Sequence, residues 1–171
     1  MARQSRLPAR PKKDIPMIIH WLLAAIHLSA FGLALAASAT RNRAFKRVAA
    51  APVAQVADLK AVFRADTGWG LTALVLLVTG LMRAFGGFEK GSAYYLHEPL
   101  FHLKMMAVVI ILILEIRPMS ALLRWRAAVR RGELPDVARA FTYSRICHAQ
   151  AALIIIIVFA AAGMARGVGA G

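Results

Sequence analysis

Four long apolar blocks, separated by stretches rich in arginine and lysine, dominate the pattern of hydrophobic and polar positions along the chain. A helix needs about 20 apolar residues to cross the hydrocarbon layer of a bilayer, and each block has close to that length. Because backbone polar groups in lipid must be paired within the segment, the blocks predict helices. We expect an all-α, integral membrane four-helix bundle, formed by a single transmembrane domain behind a basic N-terminal tail of residues 1–14. The predicted spans are residues 16–39, 67–84, 99–117 and 145–165.

Two boundaries of these blocks carry local signals. Asp66, a favourable helix-start residue, precedes the second block, which closes on Arg83. After the third block, Leu122, Trp125 and Val129 are interleaved with arginines. That pattern is typical of a short helix lying on an anionic membrane surface, and it fits a solvated extension of the third helix equally well.

Composition supports the membrane interpretation and changes how the charge is understood. Hydrophobic residues make up 60% of the chain, whereas soluble domains have about 45–50%. A net charge of +14 would suggest nucleic acid in a soluble protein, but here the cations flank apolar blocks, where they meet anionic lipid head groups. No aromatic–basic groove accompanies the charge, so nucleic acid is not an expected partner. Cys147 is the only cysteine, which excludes an intramolecular disulfide.

The distribution of lysine and arginine predicts the topology. Loops one and three hold thirteen of these residues, and the tail, the second loop and the C-terminus together hold eight. In the bacterial inner membrane, the positive-inside rule then places loops one and three in the cytoplasm, although five cations in the tail argue the other way. Ala37-Ser38-Ala39 resembles a signal-peptide cleavage site. The length of the first block and the arginines directly after it favour a retained span.

Ionisable residues within spans are costly and therefore mark candidate functional sites. His20 and His27 are seven residues apart, so they share one helix face about 10.5 Å apart along the axis. Lys104 lies in the third span, which runs in the same direction as the first. These three residues are expected near Arg83 and His102, at the second-loop end. The alternatives are an interfacial His20, an interhelical hydrogen bond from His27 and a Lys104 that extends to the head groups.

At the other end of the third span, Glu115 and Arg117 stand just before Pro118. The expected role of this pair is a local ion pair that closes the helix.

Three stretches together resemble a known family: ADTGWGLTALVLLVTGLMRAF, KGSAYYLHEPLFHLKM and LLRWR. They resemble the bacterial four-helix membrane family catalogued as domain of unknown function 2214, over about residues 18–167. The longer basic tail and Glu115-Ile116-Arg117 depart from that family. The resemblance implies a four-helix membrane protein and implies no activity.

A second similarity suggests a cofactor. The first-helix histidine, with Phe-His-Leu-Lys opening the third helix, is similar to the small haem b protoporphyrinogen oxidases of bacteria. That similarity implies a first-helix histidine and a third-helix lysine as ligands of the metal, which map to His27 (or His20) and Lys104. The copper-resistance membrane proteins share a similar helical layout, which implies copper as an alternative. Other motifs of the oxidase family are missing, so an enzymatic activity is left open.

Three functions follow as open hypotheses. The first is a membrane protein that binds b-type haem for electron transfer or haem-linked oxidation, with Arg83, His20 and His102 as further cofactor contacts. The second is a non-redox assembly or binding subunit, and the third is a small transporter or copper-handling protein. The expected partners are the lipid bilayer and either a membrane redox partner or a second copy of the chain.

Overall fold

The computed structural model describes residues 17–86 and 97–168, so the predicted basic tail of residues 1–14 lies outside the described part. The described residues form four α-helices and no strand, which confirms the all-α prediction. All four are long and apolar enough to cross a membrane. The helices are α1 (Met17–Ala50), α2 (Val56–Phe85), α3 (Pro99–Arg130) and α4 (Ala140–Ala165).

The helices are arranged as a ring with one weak side. Helix α1 packs against α2 and α4, and α4 packs against α3, whereas α2 and α3 meet at only a few places. Helices α1 and α3 therefore face each other across the diagonal of the bundle. On the outside, large apolar side chains such as Leu28, Leu71 and Phe159 are exposed. A surface of this kind requires contact with the lipid bilayer.

The helices extend well beyond the predicted spans at the end that carries loops one and three. Helix α1 has 34 residues, about 51 Å of helix, against a hydrocarbon thickness of about 30 Å. Helix α2 begins at Val56, so the prediction that Asp66 starts it is wrong. Pro118 lies inside α3 and does not end that helix. Apolar blocks indicate only the lipid-embedded part of a helix. The extensions are amphipathic, so a search for continuous apolar blocks does not detect them.

The four extensions pack together around their own core. Leu122 and Trp125 are buried within α3, so the surface-helix alternative is wrong and the helix extension is what forms. Phe45 packs against Tyr143 and Trp125, with ring centroids 5.6 and 6.2 Å apart. The extension core comprises Ala44, Phe45, Val48, Leu59, Val62, Ala121, Leu122, Trp125, Ala140, Tyr143 and Cys147.

A buried ion pair lies where the extensions join the spans. The side chain of Arg41 on α1 is 0% exposed and reaches across the diagonal to Glu115 on α3. Its Nη1 donates to Oε2 at 2.8 Å, and its Nη2 donates to Oε1 at 2.6 Å. The same Nη2 lies 2.9 Å from Oδ1 of Asp66 on α2. Such two-pronged guanidinium–carboxylate contacts are among the strongest hydrogen bonds in proteins.

Neighbouring side chains complete the coordination of both carboxylates. Trp69 Nε1 and Gln150 Nε2 donate to Oε2 of Glu115 at 3.0 and 2.8 Å. Arg126 donates to Oδ2 of Asp66 at 3.1 Å. All four helices contribute to this group, which we call the Arg41 cluster. Its members are Arg41, Asp66, Trp69, Glu115, Arg126 and Gln150.

The expected local pair between Glu115 and Arg117 is wrong. Glu115 pairs with Arg41, and Arg117 is exposed on the outside of α3. Two residues two positions apart on a helix point to nearly opposite sides, so they cannot face each other. The carboxylate of Glu115 therefore turns into the bundle while Arg117 turns away from it.

Replacing Glu115 by alanine should destabilise the fold strongly, because Arg41 loses its main counter-charge while it stays buried. Removing one partner of a buried pair costs about 3–5 kcal/mol. The matched control is Glu133→Ala, which breaks the exposed Arg131–Glu133 pair and should change stability by less than about 0.5 kcal/mol. Unfolding of both variants in detergent micelles measures the difference, and equal losses would contradict the assignment.

Candidate functional site

A cavity lies inside the ring, towards its weak side, where side chains of all four helices line it and its narrow part extends as far as Trp69 of the Arg41 cluster. It has a narrow apolar part of about 110 Å³ and a wider part of about 400 Å³ towards the second-loop end. We call the two parts together the His27 cavity, because they share several lining residues. The shared residues are His27, Phe31, Gly80, Ala84, Phe101 and Lys104.

His27 is held in one orientation by its neighbours. It is 5% exposed, its Nδ1 lies 2.7 Å from Oγ1 of Thr79 on α2, and its ring packs edge-on against Phe31 with centroids 5.0 Å apart. The Thr79 hydroxyl donates its single hydrogen to the carbonyl of Val75 at 2.6 Å. When the hydroxyl hydrogen points to Val75, Oγ1 accepts from the tautomer of His27 that is protonated on Nδ1. In the neutral ring the lone pair then lies on Nε2.

Gly80 makes room for this ring. A Cβ atom added at Gly80 would lie 3.2 Å from Cε1 of His27, which is tighter than an ordinary side-chain contact. The histidine therefore packs directly over the backbone of α2. Because Thr79 and Phe31 contact the ring as well, it has little freedom to move aside.

Three of the five predicted site residues meet in the His27 cavity. Lys104 on α3 is half-buried and lines both parts, and Arg83 on α2 is half-buried and lines the wider part. With His27 they bring a ring nitrogen, an amine and a guanidinium to one largely apolar chamber. That combination suits a ligand that has a broad apolar surface and that also carries a metal centre or acidic groups at one edge.

His20 and His102 are not among the residues that line the cavity. His20 is half-buried nearer the start of α1. His102 is exposed, and its Nδ1 lies 3.0 Å from the carbonyl oxygen of Glu98 in the preceding turn. The location of these two residues gives no additional support for a role in holding the cofactor.

Two functional features are missing from the list of predicted residues. Thr79, which orients His27, is a polar residue in the middle of an apolar span and was a signal for a partner on another helix. The Arg41 cluster was signalled by polar residues at the matching ends of all four spans. Within residues 17–86 and 97–168, no group of three histidine, cysteine, aspartate or glutamate side chains is arranged to hold a metal ion.

Comparison with known proteins identifies one family. The model of the family described as "Predicted membrane protein (DUF2214)" matches residues 19–169. Neither a curated protein nor a solved structure matches the chain.

Paired glycine substitutions on α2 test the tight contact at His27. Gly70→Ala adds a Cβ with nothing within 4 Å and should stabilise the helix by about 1 kcal/mol. Gly80→Ala should stabilise the protein clearly less, because its Cβ presses on the His27 ring. In a His27→Ala background, the same substitution should give the full stabilisation. Thermal unfolding in detergent measures all four variants. Equal stabilisation by both glycine variants with His27 present would show that the contact is absent.

Proposed function

The chain belongs to the DUF2214 family of predicted membrane proteins, and from that premise we propose that it binds one b-type haem in the His27 cavity. The bound haem would serve electron transfer or a haem-linked oxidation. The observation that carries the proposal is the geometry of His27: its ring is buried and held in one orientation by the hydrogen bond between Nδ1 and Thr79. Histidines that bind metals usually donate their second ring N–H to an acceptor in this way.

The residues of the cavity fit the different parts of a haem. His27 would offer Nε2 to the iron from α1, and Lys104 would offer its amine from α3, the helix across the diagonal. Arg83 lines the wider part of the cavity, where its guanidinium suits a propionate carboxylate. Phe31 and Phe101 supply aromatic walls for the faces of the macrocycle.

The protein's own contribution is to hold and surround the group. When bound, haem supplies one-electron chemistry, and the protein tunes it through the ligands, their hydrogen bonds and the dryness of the pocket. Thr79 keeps the His27 ring in its binding orientation. The apolar walls exclude water, and the weak contact between α2 and α3 leaves a path by which a hydrophobic ligand can enter from the bilayer.

The alternative function is a non-redox binding subunit, and the narrow part of the cavity favours it. That part is lined almost entirely by apolar side chains, most of them from α2 and α3, and would accept a lipid chain without any metal. Copper handling has less support, because the described ranges hold no three-residue metal site.

Absorption spectra of the detergent-purified protein, oxidised and then reduced with dithionite, separate these functions. The haem proposal predicts a Soret band with α and β bands on reduction, lost in His27→Ala and shifted or weakened in Lys104→Ala. The control His148→Ala changes an exposed histidine near the Arg41 end and should keep the full spectrum. A colourless protein from haem-replete cells would overturn the haem proposal and leave the non-redox function.

The hydrogen bond between His27 and Thr79 should strengthen the binding of haem, although Thr79 does not itself bind the iron. Thr79→Val removes the acceptor and is expected to weaken haem binding roughly 10- to 100-fold, as changes behind a metal ligand do. The control is Thr72→Val, since the Thr72 hydroxyl bonds only to carbonyls of its own helix. Titration of the haem-free protein with haem measures both affinities. Equal affinities for the two variants would remove Thr79 from the site.

A further inference from the structure

A second, separate groove lies on the outer face of the bundle between α1 and α2. It has a volume of about 400 Å³ and shares no lining residue with the His27 cavity. Its walls are formed by Ala37, Thr40, Ala44 and Arg47 of α1, and by Ala61, Arg64, Ala65 and Gly68 of α2.

The groove exists because small side chains face each other along both helices. The lining positions recur every three or four residues on α1 and follow an i, i+3, i+4, i+7 pattern on α2, so each set forms one face of its helix. The one hydroxyl among the small residues, that of Thr40, donates to the carbonyl of Ala36 at 2.8 Å. The floor of the groove is therefore apolar in character, and both of its cations belong to arginines.

The groove crosses the edge of the hydrocarbon layer. Ala37 and Gly68 belong to the predicted spans, whereas Arg47 and Arg64 belong to the helix extensions beyond them. Ala37 and Arg47 are ten residues apart, about 15 Å along the axis of α1. The groove is thus apolar at bilayer depth and positively charged at the level of the head groups.

Both arginines lack a carboxylate partner among the described residues. Glu115 pairs with Arg41, and Asp66 pairs with Arg41 and Arg126. Lys60 lines an adjoining depression together with Arg64 and adds a third cation. Guanidinium groups are well suited to phosphate oxygens, which they bind with two parallel hydrogen bonds.

We propose that this groove is a binding site for an anionic phospholipid. The phosphate lies between Arg47 and Arg64, and one acyl chain follows the small residues past Ala44 towards Ala37 and Gly68. Charge complementarity selects an anionic head group, and the apolar lower half of the groove selects a lipid over a free phosphate. This site would place a specific lipid against the helix pair that carries His27 and Thr79.

Native mass spectrometry of the full-length protein in detergent tests the head-group half of the site. Phosphatidylglycerol should be retained in preference to phosphatidylcholine of the same acyl chains. The double variant Arg47→Gln/Arg64→Gln should lose that preference, with retention falling about 25-fold, since each cation near an anionic lipid surface strengthens binding about fivefold. The control Arg130→Gln/Arg139→Gln removes two exposed arginines of the same end that do not line the groove, and should retain phosphatidylglycerol like the wild type.

A second variant tests the acyl-chain half. A Cβ at Gly68 meets nothing within 4 Å, so Gly68→Leu should fold and fill the lower groove, weakening phosphatidylglycerol retention while both arginines remain. Inorganic phosphate, used as a competitor at equal concentration, should not displace the lipid. Unchanged retention in the double glutamine variant, an equal loss in the control variant, or displacement by phosphate would each overturn the lipid site.

Discussion

A fully buried guanidinium on α1 sets the constraint on which the rest of the bundle depends. Arg41 cannot be left without counter-charge in this environment, since an unpaired buried ion costs several kcal/mol. Glu115 and Asp66 supply that charge from α3 and α2. A slip of α3 by one helical turn would move Glu115 by about 5.4 Å and break both of its bonds to Arg41. The ion pair therefore selects one register of the helices, which an apolar interface alone would specify poorly.

This constraint divides the bundle into a closed end, which holds the Arg41 cluster, and an open end, which holds the His27 cavity. At the Arg41 end, the buried guanidinium is paired with two carboxylates and the four helix extensions close around an aromatic core. Towards the other end lies the His27 cavity, lined by all four helices, on the side of the ring where α2 and α3 meet at only a few places. The rigid end holds the helices in register, and the open end is where a ligand can reach His27, Lys104 and Arg83. The proposed haem site thus uses a cavity that the closed end positions, whereas the proposed lipid groove runs along the outer face of the closed end itself.

The amino-acid sequence predicts those features that depend on short stretches of chain. Apolar block length was enough for four spanning helices, and the costliness of ionisable residues in lipid was enough to single out His27, Lys104 and Arg83, which do line one cavity. Features that depend on long-range pairing could not be predicted. Glu115 stands two residues from Arg117 but bonds to a residue 74 positions away, because helical geometry, not sequence distance, decides which side chains face each other.

The helix extensions escaped prediction for a related reason: their burial is against each other and not in lipid, so they lack the continuous apolar signature of a span. The register of the bundle depends on Arg41 and Glu115 acting as a coupled pair at the closed end. A double-mutant cycle of Arg41→Met and Glu115→Met, with unfolding followed in detergent, tests it most directly. If the two residues are coupled, the double variant should be more stable than the summed single losses imply, by roughly 2 kcal/mol or more. Losses that add within about 0.5 kcal/mol would contradict it.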